Sequence, residues 1–250
     1  MKLARIGGLA LLSTFALAAC NDANGPSELD QAIDEDVALV AADAVLEDLQ
    51  QMYISLGSQA ASGVSFDVAA PPRNFSRTVS FFDAAGNQQD AYNPLTTASI
   101  HMLIEMSGAV ERDGWTATIV RSRDVTVSGL EGEETERTWN GTSSTEVTRS
   151  QHSDESGTRT YDMSGVGTIA DVVRGVPRAE NPWPLSGTIT RLITVVITNG
   201  PNGDVTRERT VVVTFNGSQF ATLTVNGEEF ELDLAALQSD RAVRRRQHNG

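Results

Sequence analysis

Thr210-Val-Val-Val-Thr-Phe215, then Asn216-Gly217, then Ala221-Thr-Leu-Thr-Val225, then Asn226-Gly227, then Phe230-Glu-Leu-Asp-Leu234 is the stretch that decides the fold. Runs of β-branched residues broken by Asn-Gly pairs predict antiparallel hairpins, because Asn and Gly tolerate the positive φ of a tight turn. A two-residue turn at Asn226-Gly227 sets Leu223 opposite Phe230 and Ala221 opposite Leu232, so that turn and apolar alternation agree on one buried face.

Working outward, the same grammar recurs. Asn199-Gly-Pro-Asn-Gly203, Asp83-Ala-Ala-Gly-Asn87 and Gly129-Leu-Glu-Gly132 read as further turns. Thr97 to Arg112 alternates most clearly: Ala98, Ile100, Met102, Ile104, Met106, Gly108 and Val110 share one face, with Leu103 the apolar exception on the other. Of the 24 threonines, 23 lie at or after Thr78, a density that suits half-exposed pleated surface. No helical pattern separates these strands, so the expectation over 75–234 is a mainly β antiparallel meander of about eight to ten strands, a partly open barrel or a sandwich.

Upstream the period changes. Ile33, Val37, Ala41, Val45, Leu49, Met52 and Leu56 recur at helical spacing, widened by Val40 and Ala44 and interrupted by Asp34 and Asp48. This predicts one amphipathic helix over 30–56, with Asp30, Asp34, Glu35 and Asp36 as dipole-complementing charge near its start. Residues 57–74, with Pro71-Pro72, read as a linker. The helix needs a surface for its stripe, and the concave side of the sheet is the expected one.

The first twenty residues carry an address. Lys2 and Arg5 precede an uncharged run from Ile6 to Ala19, the order of a secretory signal and too short to span a bilayer comfortably. Leu17-Ala18-Ala19-Cys20 resembles the lipobox of bacterial lipoproteins, and Cys20 is the only cysteine of the chain. The resemblance implies diacylglyceryl transfer to the Cys20 thiol, removal of residues 1–19 and a short lipidated tether over 20–29. With Asn21 rather than aspartate after the cysteine, it implies a cell-envelope protein of the outer membrane, facing the periplasm or the exterior.

Function classes narrow by exclusion. Nineteen basic against 33 acidic residues give a net charge of -14, and the mature chain, without Lys2 and Arg5, stands at -16; a general nucleic-acid binder is not expected. One cysteine and three histidines leave little for a metal site, and no cofactor is expected. No nucleophile elbow, His-Glu-x-x-His, phosphate loop or calcium loop occurs. Gly165-Val-Gly167-Thr-Ile-Ala170 fits a loose dinucleotide pattern but sits among strand-like residues. His101 and His152 read as solvated.

The candidate site lies on the inward phase of the strands. Arg121 and Arg123 share the phase of Val125 and Val127, Arg191 that of Ile189 and Ile193, and Arg207 and Arg209 that of Val211 and Val213. With Met102 and Met106 they form the expected ligand-binding set, able to hold an acidic head group and an apolar tail. Alternatively these arginines pair at the rim with Asp124, Glu208 or another acid. Trp183, in Asn181-Pro-Trp-Pro184, is either a partner contact or a lid on the sheet end. The basic tail over 235–250, with Arg241, Arg244, Arg245 and Arg246, reads as a short helix continuing from Leu234, a disordered or free solvated end, a partner for the acidic helix or a contact for anionic head groups. The expectation is therefore a non-catalytic, lipid-anchored structural or interaction protein. The alternative is a binding module for an apolar or amphipathic ligand, resembling in architecture alone the half-barrel lipoprotein-sorting receptors.

Overall fold

Ser27 starts the first element. In the computed structural model, which describes residues 27–53, 74–112, 115–153, 157–200, 203–236 and 243–245, the Ser27 hydroxyl accepts the Asp30 amide (3.1 Å) and donates to the Asp30 carboxylate (2.8 Å). This reciprocal cap begins helix α1 (Glu28–Tyr53) two residues ahead of the expected start. The signal, Cys20, the expected helix end at 54–56, the 57–74 linker up to residue 73 and most of the basic tail lie outside the described residues.

Nine strands and two short edge strands are described, in chain order: β1 (Asn74–Phe82), β2 (Gln88–Gln89), β3 (Ser99–Arg112), β4 (Trp115–Ser128), β5 (Glu136–Ser153), β6 (Gly157–Gly175), β7 (Pro184–Gly200), β8 (Gly203–Thr214), β9 (Phe220–Val225), β10 (Glu228–Asp233) and β11 (Val243–Arg245). They form a single antiparallel sheet in the order β11-β10-β9-β8-β7-β6-β5-β4-β3-β1-β2. The meander is as expected and the sandwich alternative falls away. The sheet does not close, since β2 and β11 are its two ends.

Its inner face is the core. Ile100, Met102 and Ile104 of β3, Val125 and Val127 of β4, Ile189, Ile193 and Val195 of β7, and Leu223, Phe230 and Leu232 of the last hairpin are all buried. So is the helical stripe Ile33, Val37, Ala41, Val45, Leu49 and Met52, in the same cluster. One helix can cover strands from β3 to β10 only if the sheet curls around it, and the register shifts in β5–β6 and β6–β7 supply places to bend. The outer face carries mainly threonines and acids, with Leu103 exposed there as the pattern required and Val120, Val166 and Leu192 exposed beside them.

The turn at Asn226-Gly227 has φ of 49° and 88°, and Leu223 faces Phe230 and Ala221 faces Leu232 as anticipated. Asn216-Gly217 differs: β8 and β9 are joined by residues 215–219, with the Asn216 side chain accepting the Ser218 amide (3.0 Å) and Phe215 buried. This is an Asx turn in a longer loop, not a tight hairpin. The tail also departs from expectation. Residues 243–245 do not extend a helix but pair with β10, Leu232 opposite Val243 and Glu231 opposite Arg244.

Candidate functional site

The inward arginines fall on neighbouring transverse ranks of the sheet. One rank reads Arg209, Ile193, Gly165, Thr145, Arg121, Met106 from β8 to β3; the next reads Val211, Arg191, Gly167, Ser143, Arg123, Ile104, ending at Arg77 on β1. Arg121, Arg123, Arg191 and Arg209 are buried and Arg207 is half-buried. All five point to the concave side, as their phase predicted.

They do pair with acids, but neither Asp124 nor Glu208 is the partner and the pairs to Asp48 and Asp34 are buried rather than at the rim. Asp124 faces outward and receives His101 Nε2 at 2.6 Å, while Glu208 is exposed and only its carbonyl accepts from Arg209. The partners come from α1. Asp48, 1% exposed, takes Arg123 Nε on one carboxylate oxygen and Arg191 Nη2 on the other. Asp34 takes Arg209 Nε, and Asp30 accepts from both Arg207 Nε and Arg209 Nη2 at 3.0 Å. Arg149 of β5 reaches Asp36 at 3.8 Å. The helix thus lies across the strands, with Asp30 over β8 and Asp48 held between β7 and β4.

Small residues make this possible. A Cβ on Gly167 would stand 2.5 Å from Ser143 Oγ and 3.2 Å from Arg191 Nη1. Gly167 therefore leaves the trough in which Arg191 lies to reach Ser143 Oγ (3.2 Å) and Asp48. Gly165 and Thr145 face Ala41 and Ala44 across a cavity of about 10 Å³, room for no more than one water. The dinucleotide-like pattern is explained by this packing: its glycines belong to the middle of β6, with no helix following.

Electrostatics follow burial. Desolvation lowers the Arg191 pKa, against the pull of Asp48, and Arg123 and Arg121 nearby lower it further. Arg209 suffers desolvation too, but Asp34 and Asp30 outweigh it and raise its pKa. The Ser27 hydroxyl first, then Arg207 and Arg209, hold Asp30 at about 2, below its ordinary 3.8. A depressed carboxyl of this kind contributes stability above the ordinary value and loses it as pH falls toward 2. Burial pushes Asp36 the other way, with Arg149 opposing.

Met102 is buried, with Arg77 Nη2 against its sulfur, and Met106 is half-buried near the β1 end. Trp183 packs half-buried against the core beside the buried Pro184, the place of a lid on the sheet end. His152 has no described side chain. The residues sequence reasoning missed are Asp34 and Asp48 as ligands of the arginines and Gly167 as the trough. Among the described residues no group of three or more His, Cys, Asp or Glu is placed to hold a metal ion. No described helix is long and apolar enough to cross a membrane. Comparison with known protein families, with characterised protein sequences and with solved structures finds no match for this chain.

Proposed function

We propose that this protein is a lipid-anchored, non-catalytic envelope protein of structural or interaction type, whose curved sheet is filled by its own helix. The anchor rests on the Leu17-Ala18-Ala19-Cys20 sequence. The observation that carries the filled-sheet reading is Asp48, a carboxylate buried between Arg123 and Arg191. Four of the five arginines that would bind an anionic head group, Arg123, Arg191, Arg207 and Arg209, are already engaged by carboxylates of the chain's own helix. Around them apolar helix and sheet residues form one cluster.

Two measurements on cells and purified protein test this. Wild type should incorporate labelled fatty acid and sediment with membranes, and Cys20→Ser should do neither. Intact protein should leave a fluorescent fatty-acyl probe unbound. A soluble, unlabelled wild type would sink the anchor, whereas saturable, stoichiometric uptake of the probe would favour the carrier.

A further inference from the structure

Charge is sorted by face in this sheet. All nine arginines with described side chains on β1–β8 are buried or half-buried, whereas Glu105, Glu111, Asp124, Glu136, Glu146, Asp162 and Glu208 are exposed. Among the described strand side chains His101 is the basic group of the outer face, and it is engaged by Asp124. Five of these arginines, Arg123, Arg149, Arg191, Arg207 and Arg209, are turned inward onto acids of α1. Over β1–β8 the described side chains thus leave the outer face a predominantly negative field.

Apolar groups stand within that field. Val166 on β6 lies directly opposite Leu192 on β7, and they are 66% and 49% exposed. The adjoining outward rank runs Val120, Glu146, Ser164, Thr194, Glu208. Glu146 and Glu208 therefore flank the Val166–Leu192 pair diagonally from β5 and β8, about 15 Å apart at three strand spacings.

We propose that the outer face of the sheet is a docking surface for a basic, amphipathic protein segment, with its arginine or lysine heads on the outward carboxylates and its apolar side chains over Val166 and Leu192. Charge complementarity selects this occupant. An anionic membrane or an acidic partner meets repulsion here, and a purely apolar one would bury the flanking carboxylates without counter-charges. A desolvated apolar centre ringed by charge is also the usual layout of a specific interface. The inference goes beyond the anchored-scaffold reading and stands independently of Cys20, because peptide binding and lipid labelling are read separately.

The test uses the full-length protein in a neutral detergent and a fluorescent peptide alternating arginine and leucine, with an arginine–serine peptide of equal charge as control and empty micelles as blank. The expected result is saturable one-to-one binding of the arginine–leucine peptide, at least tenfold tighter than the control and weakened by salt. Val166→Thr with Leu192→Thr should bring it down to the level of the control without changing the melting temperature. Glu146→Gln with Glu208→Gln should weaken both peptides severalfold. Equal binding of the two peptides would reveal a non-specific polyelectrolyte effect and overturn the proposal, as would binding indifferent to the Val166 and Leu192 changes, or no binding at low salt.

Discussion

Asp48 shows at one residue how this chain resolves a conflict of charge and burial. Two guanidinium groups and a carboxylate leave water together, a step whose desolvation cost rivals its Coulombic return. The ion pairs then serve chiefly to fix where α1 sits, while apolar burial supplies most of the stability. Truncation should still be severe, since removing the carboxylate strands Arg123 and Arg191 in a site that gives them few other acceptors. Asp48→Ala should lose about 3–5 kcal/mol in urea unfolding, while Glu146→Gln on the exposed face should stay within about 0.5 kcal/mol of wild type. Equal midpoints for the two variants would show that water enters between helix and sheet and that the buried pair is not formed.

At the scale of the element, the last hairpin isolates the cost of backbone conformation. Gly227 sits at φ 88° with no atom within 4 Å of the point a Cβ would occupy, so a side chain there meets open space and only the left-handed backbone resists it. Gly227→Val should therefore destabilise by roughly 1–3 kcal/mol, measured as a drop in melting temperature against Glu229→Gln, which should melt with wild type. Matching melts would mean that the turn between β9 and β10 is not the tight one. This turn was legible in sequence because a type I′ loop and strand alternation are both local signals that had to agree. The tie between α1 and the sheet was half legible. Alternation placed Arg121, Arg123, Arg191, Arg207 and Arg209 on the inner face, and helical spacing marked Asp34 and Asp48 as breaks in the apolar stripe. Each set is a misfit alone, and opposite charges at buried positions are a reason to match them. What no local pattern holds is which acid meets which arginine, because Asp48 and Arg191 lie 143 residues apart and their meeting depends on how far the sheet curls. The pairing of β11 was hidden for a related reason: three residues are too few for a period, and their strand character comes from the free edge of β10.

Over the whole molecule the question is whether α1 is a wall of the core or a stopper resting on it. Helix and sheet share one apolar cluster, and ion pairs from α1 reach β4, β5, β7 and β8, four strands of the arc. A single helix that fills the concavity of an open sheet also holds its curvature: without it the inner faces of β3 to β10 would meet water. Release of α1 alone should then cost nearly as much as global unfolding. Native-state hydrogen exchange reads this directly, since each amide reports the free energy of the opening that exposes it. Amides of residues 37–49 should open with free energies within about 1 kcal/mol of those in the centres of β6 and β7, converging with them as urea is added. A stopper would behave otherwise. Its amides would exchange through a separate opening several kcal/mol below the sheet, with little sensitivity to urea, and would leave the arginine-lined concavity open to an anionic amphiphile. That second pattern would replace the filled scaffold by a gated carrier.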